Sequence, residues 1–153
     1  MESWSWGLSL IAVTMAMHGT GLVLVGLVLE RLRSRLTSRH VLSMIVVIVC
    51  TVGLLLAVLH VLEAGLWAAA YWWLGAISSP ADAILYSVDS ISTRGGSGLE
   101  LDRQWQPMGA LEAVDGMLLF GISTAFIFAF MQTYWSIITN SGDANPDGAG
   151  LQR

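Results

Sequence analysis

The chain has 153 residues, of which 55% are hydrophobic and only 12% charged, and its mean hydropathy is +0.67. That balance is too apolar for a soluble domain of this size and assigns the chain to a lipid bilayer. The formal net charge is -4, no lysine is present, and the seven arginines are too few to neutralise the phosphates of a nucleic acid.

Leu8 to Leu29 is an apolar run of 22 residues, long enough at about 1.5 Å per residue to cross roughly 30 Å of hydrocarbon. It predicts an extra transmembrane helix within residues 1-29. Glu2 and the lack of a basic start mark it as a retained anchor rather than a cleaved signal. Inside it, His18-Gly19-Thr20-Gly21 favours close contact between helices, and His18 reads as a packing histidine, with a proton relay as the alternative. Residues 30-40 hold four of the seven arginines. By the positive-inside rule this linker is cytoplasmic and touches anionic lipid, so Trp4 and Trp6 lie on the outer side in an aromatic belt.

Residues 41-75 form one long outward helix, with Trp67, Tyr71, Trp72 and Trp73 at its outer interface. Its Cys50 offers neither a disulfide framework nor a metal spacing and reads as a small buried hydrophobe. His60 and Glu63 are three apart and share a face. They read as a polar clamp onto the neighbouring pore helix or the last helix, with an intramembrane acid–base pair as the alternative.

Ser79 to Gly98 has a different character. Ser79 suits an N-cap, Pro80 the first helical position, and Asp82 the free N–H groups of the first turn. This predicts a short helix over 80-92 running into the glycine-rich turn 93-98, the layout of a re-entrant pore loop. Leu99 to Gln106 reads as an outer connection, Pro107 opens a last helix over 107-138, and 139-153 is Gly, Asn and Asp rich and reads as a disordered tail. The predicted fold is an all-α membrane protein with three transmembrane helices plus a re-entrant helix and loop between the second and third.

The residues His60-Val61-Leu62-Glu63, Trp67-Ala68, Tyr71, Leu85-Tyr86-Ser87, Thr93, Gly95, Trp105, Leu111 to Gly116, Phe120-Gly121 and Ser123-Thr124-Ala125 together resemble the pore of small bacterial potassium channels. The resemblance covers about His60 to Gln132 and implies a homotetramer with one central pore, in the inner (plasma) membrane of a bacterium. It makes residues 41-138 the pore domain, with the N-terminus outside and the C-terminus cytoplasmic. The extra N-terminal helix departs from the family plan.

The filter departs further. Thr-Val-Gly-Tyr-Gly aligns with Thr93, Arg94, Gly95, Gly96 and Ser97, so three of the five positions differ, and Gly98 stands in place of the family's following Asp. In the family, stacked carbonyls replace the hydration shell of the ion. Gly96 lacks the aromatic ring that braces the filter, and Ser97 lacks glycine's freedom at positive φ. Arg94 and Asp89 both stand where the family has aliphatics, which points to an ion pair within or between subunits. The other reading turns Arg94 into the axis as a basic ring for anions.

Glu112 and Asp115 are expected behind or beside the filter, holding His60 or Arg94 as part of a structural network, with ion binding as the alternative, and Ser123 and Thr124 are expected to line the inner cavity or to bond back onto their own helix. The expected function is a passive ion channel with altered selectivity; an anion pore or a non-conducting relative is the alternative. The expected partners are other copies of the chain, the lipid bilayer and a permeant ion. No metal-ligand cluster, cofactor motif or nucleophile with a nearby base is legible, so neither an enzyme nor a cofactor is expected.

Overall fold

The computed structural model describes residues 2-33 and 41-142. They form four helices: α1 (Glu2–Arg33), α2 (Val41–Trp73), α3 (Pro80–Ile91) and α4 (Gln106–Gly142). Three stretches are long and apolar enough to cross a membrane, Glu2–Arg31, Ser43–Trp73 and Gln106–Thr133. The described residues are therefore all-helical, with three helices suited by length and composition to spanning a membrane.

α1 starts before its apolar run, and in its first turns Ser5 and Ser9 direct their hydroxyls to the carbonyls of Glu2 and Ser5. α4 likewise continues past 138, taking in residues 139-142 that composition alone assigns to the tail. The rest of that tail, and linker residues 34-40, lie outside the described residues. α2 stops at Trp73 because Gly75 takes a φ of 72°. That left-handed residue lets Ala76 N–H reach back to the Tyr71 carbonyl at 2.9 Å and close the helix end.

Thr14 of α1 meets Asp115 of α4, and His18 meets Ser123 further along both helices. α1 and α4 therefore run the same way, and α2 runs against them, since Trp67 and then Glu63 meet the same two levels. Two apolar clusters hold the bundle. One, around Trp67, Tyr71, Met108 and Leu119, sits at the end that carries α3. The other, around Leu22, Leu29, Ile48, Val52 and Phe130, fills the opposite end. Val23, Leu54 and Val61 point outward, as lipid-facing residues do, and Cys50 is exposed among them rather than buried as its sequence context predicts. At the α3 end Trp6 packs edge-on against Trp73 with centroids 6.1 Å apart, so aromatics from both helix termini gather at one level.

α3 has 12 residues, about 18 Å of helix, too short to cross a bilayer. The expected start signals operate: Ser79 is extended and its hydroxyl accepts the Asp82 N–H. Ala83, Ser87, Asp89 and Ile91 are its buried residues, with Ser87 Oγ lying 2.6 Å from the Ala64 carbonyl of α2 and sharing its one proton between that oxygen and Glu112. The last turn rests directly on α4 at Gly116, where any Cβ would collide with the Ile91 carbonyl. Only glycine allows that approach.

Candidate functional site

The loop that leaves α3 is organised by Asp89. Its backbone carbonyl accepts the Arg94 N–H at 3.0 Å and the Ser92 hydroxyl at 3.1 Å. Its carboxylate accepts Arg94 Nε on Oδ1 at 2.5 Å and the Ser97 N–H on Oδ2 at 2.8 Å. The expected ion pair thus forms, and it forms within one chain. Asp89 is buried, but the Arg94 side chain is 64% exposed, so the pair lies at the surface of the single chain. Burial pushes the Asp89 carboxyl up, yet the bonds from Ser97 and Arg94 outweigh it and hold the group below the usual carboxylate range.

Thr93 has a φ of 56° and Gly95 a φ of 64°, with Arg94 between them outside the positive region, and Gly98 returns to 70°. Thr93, Arg94, Gly95, Gly96 and Gly98 are exposed and Ser97 is partly so. A left-handed threonine is uncommon. It is held here by a bond from its N–H to the Ser90 carbonyl at 2.8 Å.

Behind this loop, polar side chains stack in three levels through the bundle. Nearest the loop, Glu112 of α4 accepts the Tyr71 hydroxyl at 2.9 Å and the Ser87 hydroxyl of α3. One turn on, Asp115 Oδ2 accepts Thr14 Oγ1 at 2.7 Å and Trp67 Nε1 at 2.9 Å. At the third level His18 Nδ1 lies 2.8 Å from Glu63 Oε1, and its Nε2 lies 3.0 Å from Ser123 Oγ. The first level takes its side chains from α2, α3 and α4, and the other two from α1, α2 and α4.

Several expectations change at this point. Glu63 pairs with His18 of α1, and neither with His60 nor with the short or last helix on which the clamp is expected. His60 turns its Nδ1 to the Leu56 carbonyl at 2.7 Å and stacks on Phe120 with centroids 4.4 Å apart. Glu112 and Asp115 hold neither His60 nor Arg94. Ser123 is turned into its own bundle, and Thr124 bonds back to the Phe120 carbonyl at 2.8 Å while remaining exposed. Thr14, Trp67, Tyr71 and Ser87 join the network without having been singled out for it. The signal was present: Thr14 and His18 are four apart, as are Glu63, Trp67 and Tyr71, placing polar atoms in line on one face of each apolar helix. The structure also gathers a metal-capable group the spacing does not reveal, since His18, His60 and Glu63 each bring a ligand atom within 4.8 Å of the others.

Compared with models of protein families, with curated proteins and with solved structures, the chain matches none.

Proposed function

We propose that this chain is one subunit of a passive ion channel of the pore-loop type, four copies surrounding a pore whose narrow part is Thr93 to Gly98. The observation that carries the reading is the exposed loop at the end of a helix too short to cross the membrane. Its residues at 93 and 95 take positive φ with a residue of the other hand between them. Alternation of hand turns successive peptide groups toward one side, the arrangement a carbonyl-lined filter requires. The apolar residues Ile84, Leu85 and Val88 are exposed beside it on α3, a surface that further copies would cover. In this reading the α3 end faces outward, residues 30-40 and the C-terminus are cytoplasmic, and the membrane is the inner membrane of a bacterium.

Asp89 offsets the charge of Arg94 within each chain. This favours a cation or weakly selective pathway over an anion ring built from four bare guanidinium groups. With Gly96 where the potassium filter has its bracing aromatic, discrimination between potassium and sodium is expected to be poor. Flux from liposomes carrying the purified protein, under potassium, sodium and chloride gradients, tests the proposal. Cation flux with little preference supports it. A single-chain mass in detergent together with no flux of any ion would overturn it, and strong potassium selectivity would overturn the account of the altered loop.

A further inference from the structure

We infer that His18, His60 and Glu63 form an intramembrane binding site for a divalent d-block cation of the zinc type, joining α1 to α2. The inference is independent of the channel reading. Two imidazoles and a carboxylate are a donor set suited to such an ion. All three residues are buried, at 0%, 8% and 0% exposure for His18, His60 and Glu63.

The hydrogen bonds around the three residues leave donors where a metal needs them. The Leu56 carbonyl can only accept, so His60 carries its proton on Nδ1 and leaves Nε2 as a bare lone pair. That Nε2 has no hydrogen-bond partner among the described residues, and neither has Glu63 Oε2. Two buried atoms with unused lone pairs in one cluster are uncommon in a folded protein, and an ion explains both at once.

His18 completes the set. Its Nδ1 faces Glu63 Oε1, while Nε2 is within reach of the Ser123 hydroxyl, which can accept an N–H from that side. An ion entering the cluster replaces the proton held between His18 Nδ1 and Glu63 Oε1, and that proton leaves to solvent. Both rings then have their second nitrogen fixed, His18 on Ser123 and His60 on Leu56, as metal-bound histidines usually do. The ligand atoms lie within 4.8 Å of one another. Tetrahedral zinc at about 2.0–2.1 Å from nitrogen sets its ligands roughly 3.3 Å apart, so closure of the widest pair by up to about 1.5 Å completes the site. A fourth position is left for water.

The test uses the full chain in detergent, stripped with chelator and titrated with Co2+ and then Zn2+. One cobalt per chain is expected, with the visible bands of four-coordinate cobalt, displaced by zinc. X-ray absorption at the zinc edge of the unmutated protein should show scattering from two imidazole rings and no sulfur. His60→Phe keeps a ring against Phe120 and should weaken binding by roughly a hundredfold or more, and Ser123→Ala by about tenfold. Cys50→Ala and His40→Ala should bind as the unmutated chain does. No stoichiometric binding, sulfur ligation, or full affinity in a folded His60→Phe would each overturn the assignment.

Discussion

Arg94 Nε donates to Asp89 Oδ1 while the backbone of Ser97 donates to Asp89 Oδ2, so one carboxylate closes the whole loop between them. Removing its charge should loosen the loop rather than the bundle. In Asp89→Asn, the Ser97 amide should exchange with solvent roughly tenfold faster, while amides in the middle of α2 are unchanged. Arg94→Val alone should leave the Ser97 amide protected, because Asp89 Oδ2 still accepts it, whereas Asp89→Val removes the acceptor and should expose it. If Arg94→Val and Asp89→Val exchange equally fast at Ser97, the carboxylate is not what orders the loop.

The same carboxylate gives the loop a pH dependence whose sign is fixed. Asp89 is held below its ordinary 3.8 in the folded chain. A group depressed in this way stabilises the fold fully above its unfolded value, and the contribution is lost as pH falls through the lower folded value. Loop order, read by the fluorescence of a probe at a cysteine introduced at Glu100, should be flat from pH 7 to about pH 5 and fall only below 3.8. An unfolding step between pH 5 and 7 in that signal would contradict the assignment.

Gly116 is where α3 rests on α4, and a methyl group there meets the Ile91 carbonyl. Gly116→Ala should cost about 1–3 kcal/mol of thermal stability in detergent. Gly121→Ala, on the same helix with open space around it, should be neutral or slightly stabilising. Equal effects would mean that general helix propensity, not the contact, governs both.

Tyr71 and Ser87 both donate to Glu112. Tyr71→Phe should destabilise by about 1–2 kcal/mol, since it leaves a buried acceptor short of a donor. The double variant with Ser87→Ala should fall short of or exceed the sum of the single effects, because both act on one carboxylate. Strict additivity in melting experiments would separate the two contacts.

Ile84, Leu85 and Val88 form an exposed strip on α3. In the proposed assembly this strip is covered by a neighbouring copy, so Ile84→Glu should shift the detergent-solubilised mass toward a single chain. A mass unchanged by that substitution would place the strip against lipid instead.

Much of this architecture can be read from residues alone. Three apolar runs locate the long helices, and Ser79-Pro80 with Asp82 locates the start of the short one. Asp89 and Arg94 stand out as the two charged residues between 83 and 99, of opposite sign and five apart. The partner of Glu63 is harder, since His60 three residues away and His18 on another helix both satisfy its need on paper. The Leu56 carbonyl decides between them by engaging the His60 ring from within α2. Ser123 and Thr124 raise the same difficulty: adjacent hydroxyls lie about 100° apart around a helix, and only the docked position of α1 decides which turns inward. Cys50 was misread because, in a bilayer, apolar context does not distinguish a core position from a lipid-facing one.

The three polar levels also govern how the molecule can move. Apolar helix faces slide past each other at little cost, but a step of one turn along the axis would break every bond at Glu112, Asp115 and His18 together. The half of the bundle bearing α3 is thereby keyed as a single block. Beyond Ser123, Leu22, Leu29, Ile48, Val52 and Phe130 form the apolar cluster between α1, α2 and α4. Sliding of one helix against another is therefore resisted first where Glu112, Asp115 and His18 hold their partners, at the end that carries α3.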